Sequence, residues 1–192
     1  EDSRPEAWLP YWQRSRAVWS YYDLHDYLRT RDALVIDKPF RFYHAPLGVS
    51  GDVFKPSKPL RKLFVIGTSG FVADTEAVGE CHKAARRLDR WQFHLGPDLN
   101  LGTKVAYMHN CSDVQLADFW SQCSFVAGLR RIEGFELPVI EALACGARPI
   151  VFDAPHYTHW FGEHAEYVPE SDADTLVDNI ESIMRRPVRV VT

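Results

Sequence analysis

From Lys62 onward, short apolar runs alternate with stretches of helical period. KLFVIG (Lys62 to Gly67) is a continuous apolar run rich in β-formers. DTEAVGECHKAARRL (Asp74 to Leu88) repeats its apolar positions every three to four residues, the period of an amphipathic helix. WQFHLG and TKVAYMH read as two further strands. SDVQLADFWSQC reads as a helix opened by a capping box, Ser112 followed by Gln115. SFVAG is a strand, LPVIEALACG a helix closed by Gly146, and RPIVFD a strand. HYTHWFG gives one or two helical turns, AEYV a short strand, and SDADTLVDNIESIMRR the last helix. Strands that alternate with helices predict β-α-β units and a parallel sheet. Continuous apolar strands predict that helices cover both faces. The fold class is therefore α/β, a Rossmann-like doubly wound parallel sheet over residues 46–192. Such sheets bind ligands beyond the carboxyl ends of their strands, near the reversal of strand order. The loops after Gly67, His109, Gly128 and Asp153 form the candidate rim.

Residues 1–45 follow a different pattern. Trp8, Tyr11, Trp12, Trp19, Tyr21 and Tyr22 crowd a segment too short to build a core. PEAWLPYWQRSR reads as a short helix before an apolar strand at Ala17 to Trp19. DLHDYLRTR reads as another short helix, and ALVI and FRFYHAP as strands. Aromatics without a core of their own predict packing against another body. Gly48, Gly51, Pro56 and Pro59 mark the loop between this segment and the alternating region.

Composition narrows the classes. Apolar residues make up 46% and charged residues 25%, ordinary values for a globular chain. A net charge of -4 argues against a general nucleic-acid binder. No apolar run approaches the roughly 20 residues of a membrane span. Cys81, Cys111, Cys123 and Cys145 are scattered without a C-x-x-C pair, and read as reduced, partly buried thiols of a cytoplasmic protein. The chain opens on Glu1 with no signal-peptide pattern and reads as a piece of something longer.

The candidate chemistry centres on EGFELPVIE, Glu133 to Glu141. Glu133 falls on a strand-to-helix loop at the rim, and Gly134 lets the backbone turn closely there. Phe135, Glu136 and Leu137 lead into a helix with Pro138 in its first turn, where a missing N–H costs little. The free amides at a helix start form an anion site. The helix is expected to bury Leu137, Ile140, Leu143 and Ala144 on one stripe, with Glu141 beside it on the rim. Carboxylates suit hydroxyl groups, so the spacing points to a ligand with phosphate in the middle and hydroxyls at both ends. A nucleotide sugar has that shape. The plainer alternative is acids that stabilise a helix dipole by roughly 0.3–1 kcal/mol.

EGFELPVIEALACGARPIVFD resembles the E-x7-E signature of the retaining nucleotide-sugar glycosyltransferases of the B fold, the large group 1 family. HAPLGVSGDVFKPS is similar to the linker that opens that family's C-terminal domain, and NCSDVQLADFWSQCSFVAG to its next landmark. The resemblance implies that residues 46–192 are the C-terminal, donor-binding domain of the two that make a B fold. It makes residues 1–45 the tail of the N-terminal domain and the crossover, with the missing domain packing on the aromatic segment. It implies sugar transfer from a UDP- or GDP-type donor to an unknown acceptor, with retention of anomeric configuration and no essential metal or cofactor. Glu133 would then be catalytic, at the donor sugar, and Glu141 would hold the ribose hydroxyls. The amides of Phe135, Glu136 and Leu137 would meet the sugar and diphosphate. Tyr107 to His109 and Gly128 to Arg130 would border the nucleobase.

One departure stands out. The family carries an Arg and a Lys after the first strand of this domain, and IGTSGFVADTEAVGECHK has no basic residue before Lys83. Thr68, Ser69 and Gly70 offer a backbone nest for phosphate instead, and Arg130 and Arg131 offer charge from a neighbouring loop. Losing two cations from a leaving-group site motivates the alternative of a non-catalytic nucleotide-binding or protein-interaction module on the same fold. His156, His159 and His164 lack a Cys or carboxylate that completes a metal pattern. No G-x-G-x-x-G follows the first strand, which argues against a dinucleotide-dependent oxidoreductase.

Overall fold

The computed structural model describes residues 14, 16–20, 41–45, 47–57, 62–71, 75–131 and 136–187. The chain divides into two compact units, Glu1–Leu47 and Gly48–Thr192. In the first, strand β1 (Ala17–Ser20) pairs in parallel with β2 (Arg41–His44), Ala17 opposite Arg41. The helices read in PEAWLPYWQRSR and DLHDYLRTR and the strand ALVI lie wholly or almost wholly outside the described residues.

The second unit is an all-parallel, six-stranded sheet. Its strands are β3 (Phe64–Ser69), β4 (Trp91–Leu95), β5 (Val105–Met108), β6 (Cys123–Gly128), β7 (Arg148–Phe152) and β8 (Glu166–Val168). Their spatial order is β5-β4-β3-β6-β7-β8. The chain steps outward from β3 to β5, returns to β6 on the other side of β3, and steps outward again. The reversal between β3 and β6 opens a crevice at their carboxyl ends, where a doubly wound sheet takes its ligand. Helices α1 (Val78–Arg87), α2 (Asp113–Ser121), α3 (Leu137–Ala144) and α4 (Pro155–Phe161) lie in the connections, a loop alone joins β4 to β5, and α5 (Ala173–Met184) follows β8. Among the described residues no helix is long and apolar enough to cross a membrane.

Local signals place most of these boundaries. The capping box forms at α2, where Ser112 Oγ accepts from the Gln115 amide and Gln115 Oε1 accepts from the Ser112 amide. Asp172 caps α5 through the Thr175 amide. Gly146 closes α3 with φ +87°, and the Ala147 amide returns to the Ala142 carbonyl. The expected buried stripe of α3 is displaced. Val139 and Ala142 are the fully buried positions, while Leu137, Ile140, Leu143 and Ala144 are only half-buried. The cause is close packing on the sheet. A Cβ at Gly128 would lie 2.9 Å from Val139 Cγ2, so the glycine lets α3 press its Val139 face onto β6.

The core centres on Trp120, fully buried at the end of α2. Phe93 meets it edge-on at 5.1 Å, and Phe119 stacks on Phe93 at 5.0 Å. At the amino ends of the strands, Lys62 donates its Nζ protons to the carbonyls of Ser121 (3.1 Å), Cys123 (2.8 Å) and Gly146 (3.1 Å). Those carbonyls belong to the ends of α2 and α3 and the start of β6, so one ammonium ties three elements. Burial lowers the Lys62 pKa and raises those of the Cys123 and Cys145 thiols, Cys145 to about 11.

Gly67 leaves room for Trp120, because a Cβ there would lie 2.6 Å from the indole ring. Gly67→Ala should therefore cost about 1–3 kcal/mol of stability through overpacking. Urea unfolding followed by Trp fluorescence measures this, and an unchanged midpoint would show that the indole can shift.

Candidate functional site

The crevice floor is built by two glycines. Gly70 (φ +139°) ends β3 and donates its amide to the Leu95 carbonyl at 3.1 Å. Gly96 (φ +153°) ends β4 and donates to the Met108 carbonyl at 2.8 Å. A Cβ on Gly96 would lie 2.3 Å from the Gly70 carbonyl oxygen, so the ends of β3 and β4 close only without side chains. Glu76, in the turn before α1, lays its carboxylate directly on Gly70. A Cβ there would be 1.7 Å from Glu76 Oε2.

Arg130 follows β6 and reaches across to β3. Its Nη2 donates to Ser69 Oγ at 3.3 Å. Its Nε lies 3.6 Å from Glu76 Oε1 and 3.6 Å from Glu136 Oε1. Glu136 stands at the start of α3 with its side chain fully buried. The buried Tyr157 hydroxyl, on α4, lies within hydrogen-bond reach of Glu136 Oε1 (3.3 Å) and the Arg130 carbonyl (3.4 Å), and donates to one of them at a time. A buried carboxylate demands a cation and hydrogen bonds, and Arg130 and Tyr157 supply both kinds.

Beneath the floor runs a buried polar chain. His82 Nδ1 meets Gln92 Oε1 (3.2 Å), Gln92 Nε2 donates to Thr68 Oγ1 (2.7 Å), and Thr68 Oγ1 meets His94 Nδ1 (2.9 Å). Burial lowers the His94 pKa, against the opposing pull of the Gly70 carbonyl and Glu76. The ring is thus held neutral. Thr68 accordingly turns its hydroxyl toward β4, to the Phe93 carbonyl, Gln92 and His94.

Glu141 lies one turn into α3 and is half-buried. Burial raises its pKa. The Trp120 indole N–H, buried without a hydrogen bond of ordinary geometry among the described residues, opposes that rise, and Asp113 in the first turn of α2 adds to it. At the helix start, the Val139 and Ile140 amides return to the Glu136 carbonyl and Pro138 has no amide. Of the anion-binding amides expected in the helix itself, that of Leu137 remains.

Ser69, Gly70, Arg130 and Glu136 therefore come together at the strand-order reversal, with Leu137 following Glu136. Arg131 does not join them. It is exposed, pairs with Glu170 Oε1 at 3.0 Å, and lies over the Phe152 ring. Gly128 serves packing, between Val139 and Val151. His109 lies beyond β5 with its ring on Asn110, while Tyr107 turns its hydroxyl to the Leu101 amide. Glu133, Gly134 and Phe135 lie outside the described residues. His156 packs its ring on Tyr157 and Trp160. Glu76, His94 and Tyr157 were not legible as site residues. For Glu76 the signal is its place in the loop after β3, an acid in a stretch without Lys or Arg.

The family model of the glycosyl transferases group 1 matches residues 93–189. No curated protein matches the chain by sequence. Among solved structures, the pneumococcal O-GlcNAc transferase GtfA, in complex with UDP and GlcNAc, is 18% identical with a TM-score of 0.75; the match covers 93% of this chain and 39% of that one. Sucrose-phosphate synthase from Thermosynechococcus elongatus is 20% identical with a TM-score of 0.71, over 95% of this chain and 53% of that one. The C-terminal domain of a group 1 family glycosyl transferase (LpcC) from Francisella tularensis is 17% identical with a TM-score of 0.58, over 72% of this chain and 89% of that one. The chain thus spans about two fifths to one half of the first two proteins.

The Arg130–Glu136 pair should behave as one unit. Arg130→Met strands a buried carboxylate and should cost about 2–3 kcal/mol. Combining it with Glu136→Gln should recover about 1–3 kcal/mol of coupling in a double-mutant cycle of unfolding free energies. Strictly additive losses would show that the two side chains do not depend on each other.

Proposed function

We propose a function from one premise: this chain belongs to the glycosyl transferases of group 1, whose family model covers half of it. The activity is transfer of a sugar from a nucleotide-diphosphate donor to an acceptor with retention of anomeric configuration. This chain supplies mainly the donor-binding half. One observation carries the reading: a single guanidinium, Arg130, is fixed at the strand-order reversal between Ser69 and the start of the helix that bears Glu141.

In this reading Arg130 and the Leu137 amide face the diphosphate. As the bond from the anomeric carbon to the diphosphate oxygen breaks, its electron pair stays on the diphosphate, and preorganised donors stabilise that growing charge. An acceptor hydroxyl forms the new bond to the anomeric carbon, and its proton passes to the departing diphosphate oxygen. Glu141 accepts hydrogen bonds from the ribose hydroxyls, and Glu133 acts at the donor sugar. The leaving group needs no essential metal. The donor is a uridine or guanosine nucleotide, in keeping with GtfA, which was solved with UDP. The fit to the isolated C-terminal domain of LpcC supports residues 46–192 as the donor domain. The aromatic segment 1–45 then belongs to the N-terminal domain and crossover, and packs against that domain, which also shapes the acceptor site. Four free cysteines favour a reducing, cytoplasmic setting. A second reading, a non-catalytic nucleotide-binding or protein-interaction module, is favoured by one observation: Arg130 stands between two carboxylates. Sugar transfer by the full-length protein would decide against it.

Isothermal titration with UDP and with GDP tests the donor site. Wild type should bind one of them, and Glu141→Ala should bind it about tenfold more weakly or worse, the loss of a bidentate hydroxyl contact. Equal binding by the variant would sink the assignment. The pH dependence has a definite sign. Glu141 must be ionised to accept hydroxyl protons, and its pKa is raised by burial. Affinity should fall as pH drops through that value, which burial sets above the ordinary glutamate value. Glu141→Gln should lack that step.

A further inference from the structure

We propose that Glu76 determines which phosphate charge this site accepts: it favours a diphosphate capped as a sugar ester over one with a free terminal phosphate. The inference rests on the donor-site reading above and assigns a role to a residue which that reading leaves unused.

Glu76 and Glu136 both lie 3.6 Å from the same Arg130 Nε, but they are held differently. Glu136 is fully buried beneath the start of α3, with the Tyr157 hydroxyl beside it, and has nowhere to go. Glu76 retains some exposure, 14% of its side chain, and rests on the bare Cα of Gly70 at the end of β3. Arg130 is therefore shared between a fixed acid and one on the open side of the crevice. The sequence has no Lys or Arg between Lys62 and Lys83, and none in residues 132–135. The adjacent His94 is held neutral by burial, and Arg131 is engaged by Glu170.

A phosphate that approaches Arg130 and Ser69 arrives beside the Glu76 carboxylate. Repulsion grows with the charge on the incoming group. In a nucleotide sugar the outer phosphate is a diester with one negative charge. In a free nucleoside diphosphate it ends in a monoester-like phosphate of about −1.5 to −2 at neutral pH. Glu76 therefore penalises the free diphosphate more than the sugar ester. In a transferase the sugar ester is the donor and the free diphosphate the product, so the same carboxylate speeds product departure.

The test is titration of wild type, Glu76→Gln, Glu76→Asp and Glu76→Gln/Arg130→Gln with UDP and UDP-glucose, and with GDP and GDP-mannose, near neutral pH. Glu76→Gln keeps shape and removes charge. It should tighten binding of the free diphosphate by about tenfold, and shift the ratio of diphosphate to sugar-ester affinity by about threefold or more. Glu76→Asp should keep the wild-type ratio, and the double variant should lose the gain in affinity because the phosphate then meets neither the acid nor the cation that attracts it. A gain of affinity is not what structural damage produces. An unchanged ratio in Glu76→Gln, or weaker binding of both ligands, overturns the proposal. If wild type binds one pair in a Glu141-dependent way and the ratio still fails to move, the role of Glu76 alone is wrong. If wild type binds none of the four nucleotides, the donor-site reading fails and this inference falls with it.

Discussion

A carboxylate buried at the start of a helix must be matched by a cation, and the match between Glu136 and Arg130 is the constraint on which the rim depends. Glu136 sits where α3 leaves the loop after β6, with no exposed surface on its side chain. Arg130 answers it from the same loop and carries on to Ser69 on β3. Because β3 and β6 are the two strands at which the sheet reverses, this one guanidinium spans the crevice that the topology opens. The helix start is thereby fixed, and with it the Leu137 amide and the position of Glu141 one turn on. Gly128 sets the depth of the same helix by admitting Val139 against β6. Charge and packing thus position α3 together.

The opposite end of the sheet uses the same device for a different end. Lys62 gives three protons to three carbonyls that α2, α3 and β6 would otherwise leave exposed to the core. An ammonium suits that task, since it is a compact charge with rotatable donors. A guanidinium suits the rim, since its planar fork can face two carboxylates and a hydroxyl at once. At the amino end of the sheet the ammonium's role is structural. At the carboxyl end the cation is shared between two carboxylates.

The fold was largely legible in the sequence because its signals are local. Apolar runs covered on both faces, the Ser112–Gln115 box and Gly146 past α3 each act within a few residues. The site was half legible. Leu137, Ile140, Leu143 and Ala144 obey a helical period, yet the sheet takes the neighbouring Val139 and Ala142, because a helix flanked by both a sheet and another helix has two apolar sides. Thr68 and Ser69 are adjacent, and alternation along a strand sends one hydroxyl to Gln92 and His94 and the other to Arg130. Arg130 and Arg131 part in the same way. No local pattern says which of two neighbours faces the crevice. Tyr157 and Glu76 meet the site only through tertiary contact.

That leaves the source of positive charge for a diphosphate. The loop after β3 supplies none; it supplies an acid. The buried chain from His82 through Gln92 and Thr68 to His94 links its members through neutral partners, and burial disfavours a cationic His94 beside Glu76. Among the described residues, what remains at the crevice is one guanidinium shared between two carboxylates, with backbone amides around it. Amides stabilise charge without carrying any, so such a site discriminates by how much charge the ligand brings. A ligand with fewer charges and more hydroxyls suits it better than a bare polyphosphate. The hydroxyl-gripping acid at Glu141 and the crowded cation at Arg130 select the same kind of molecule from two sides.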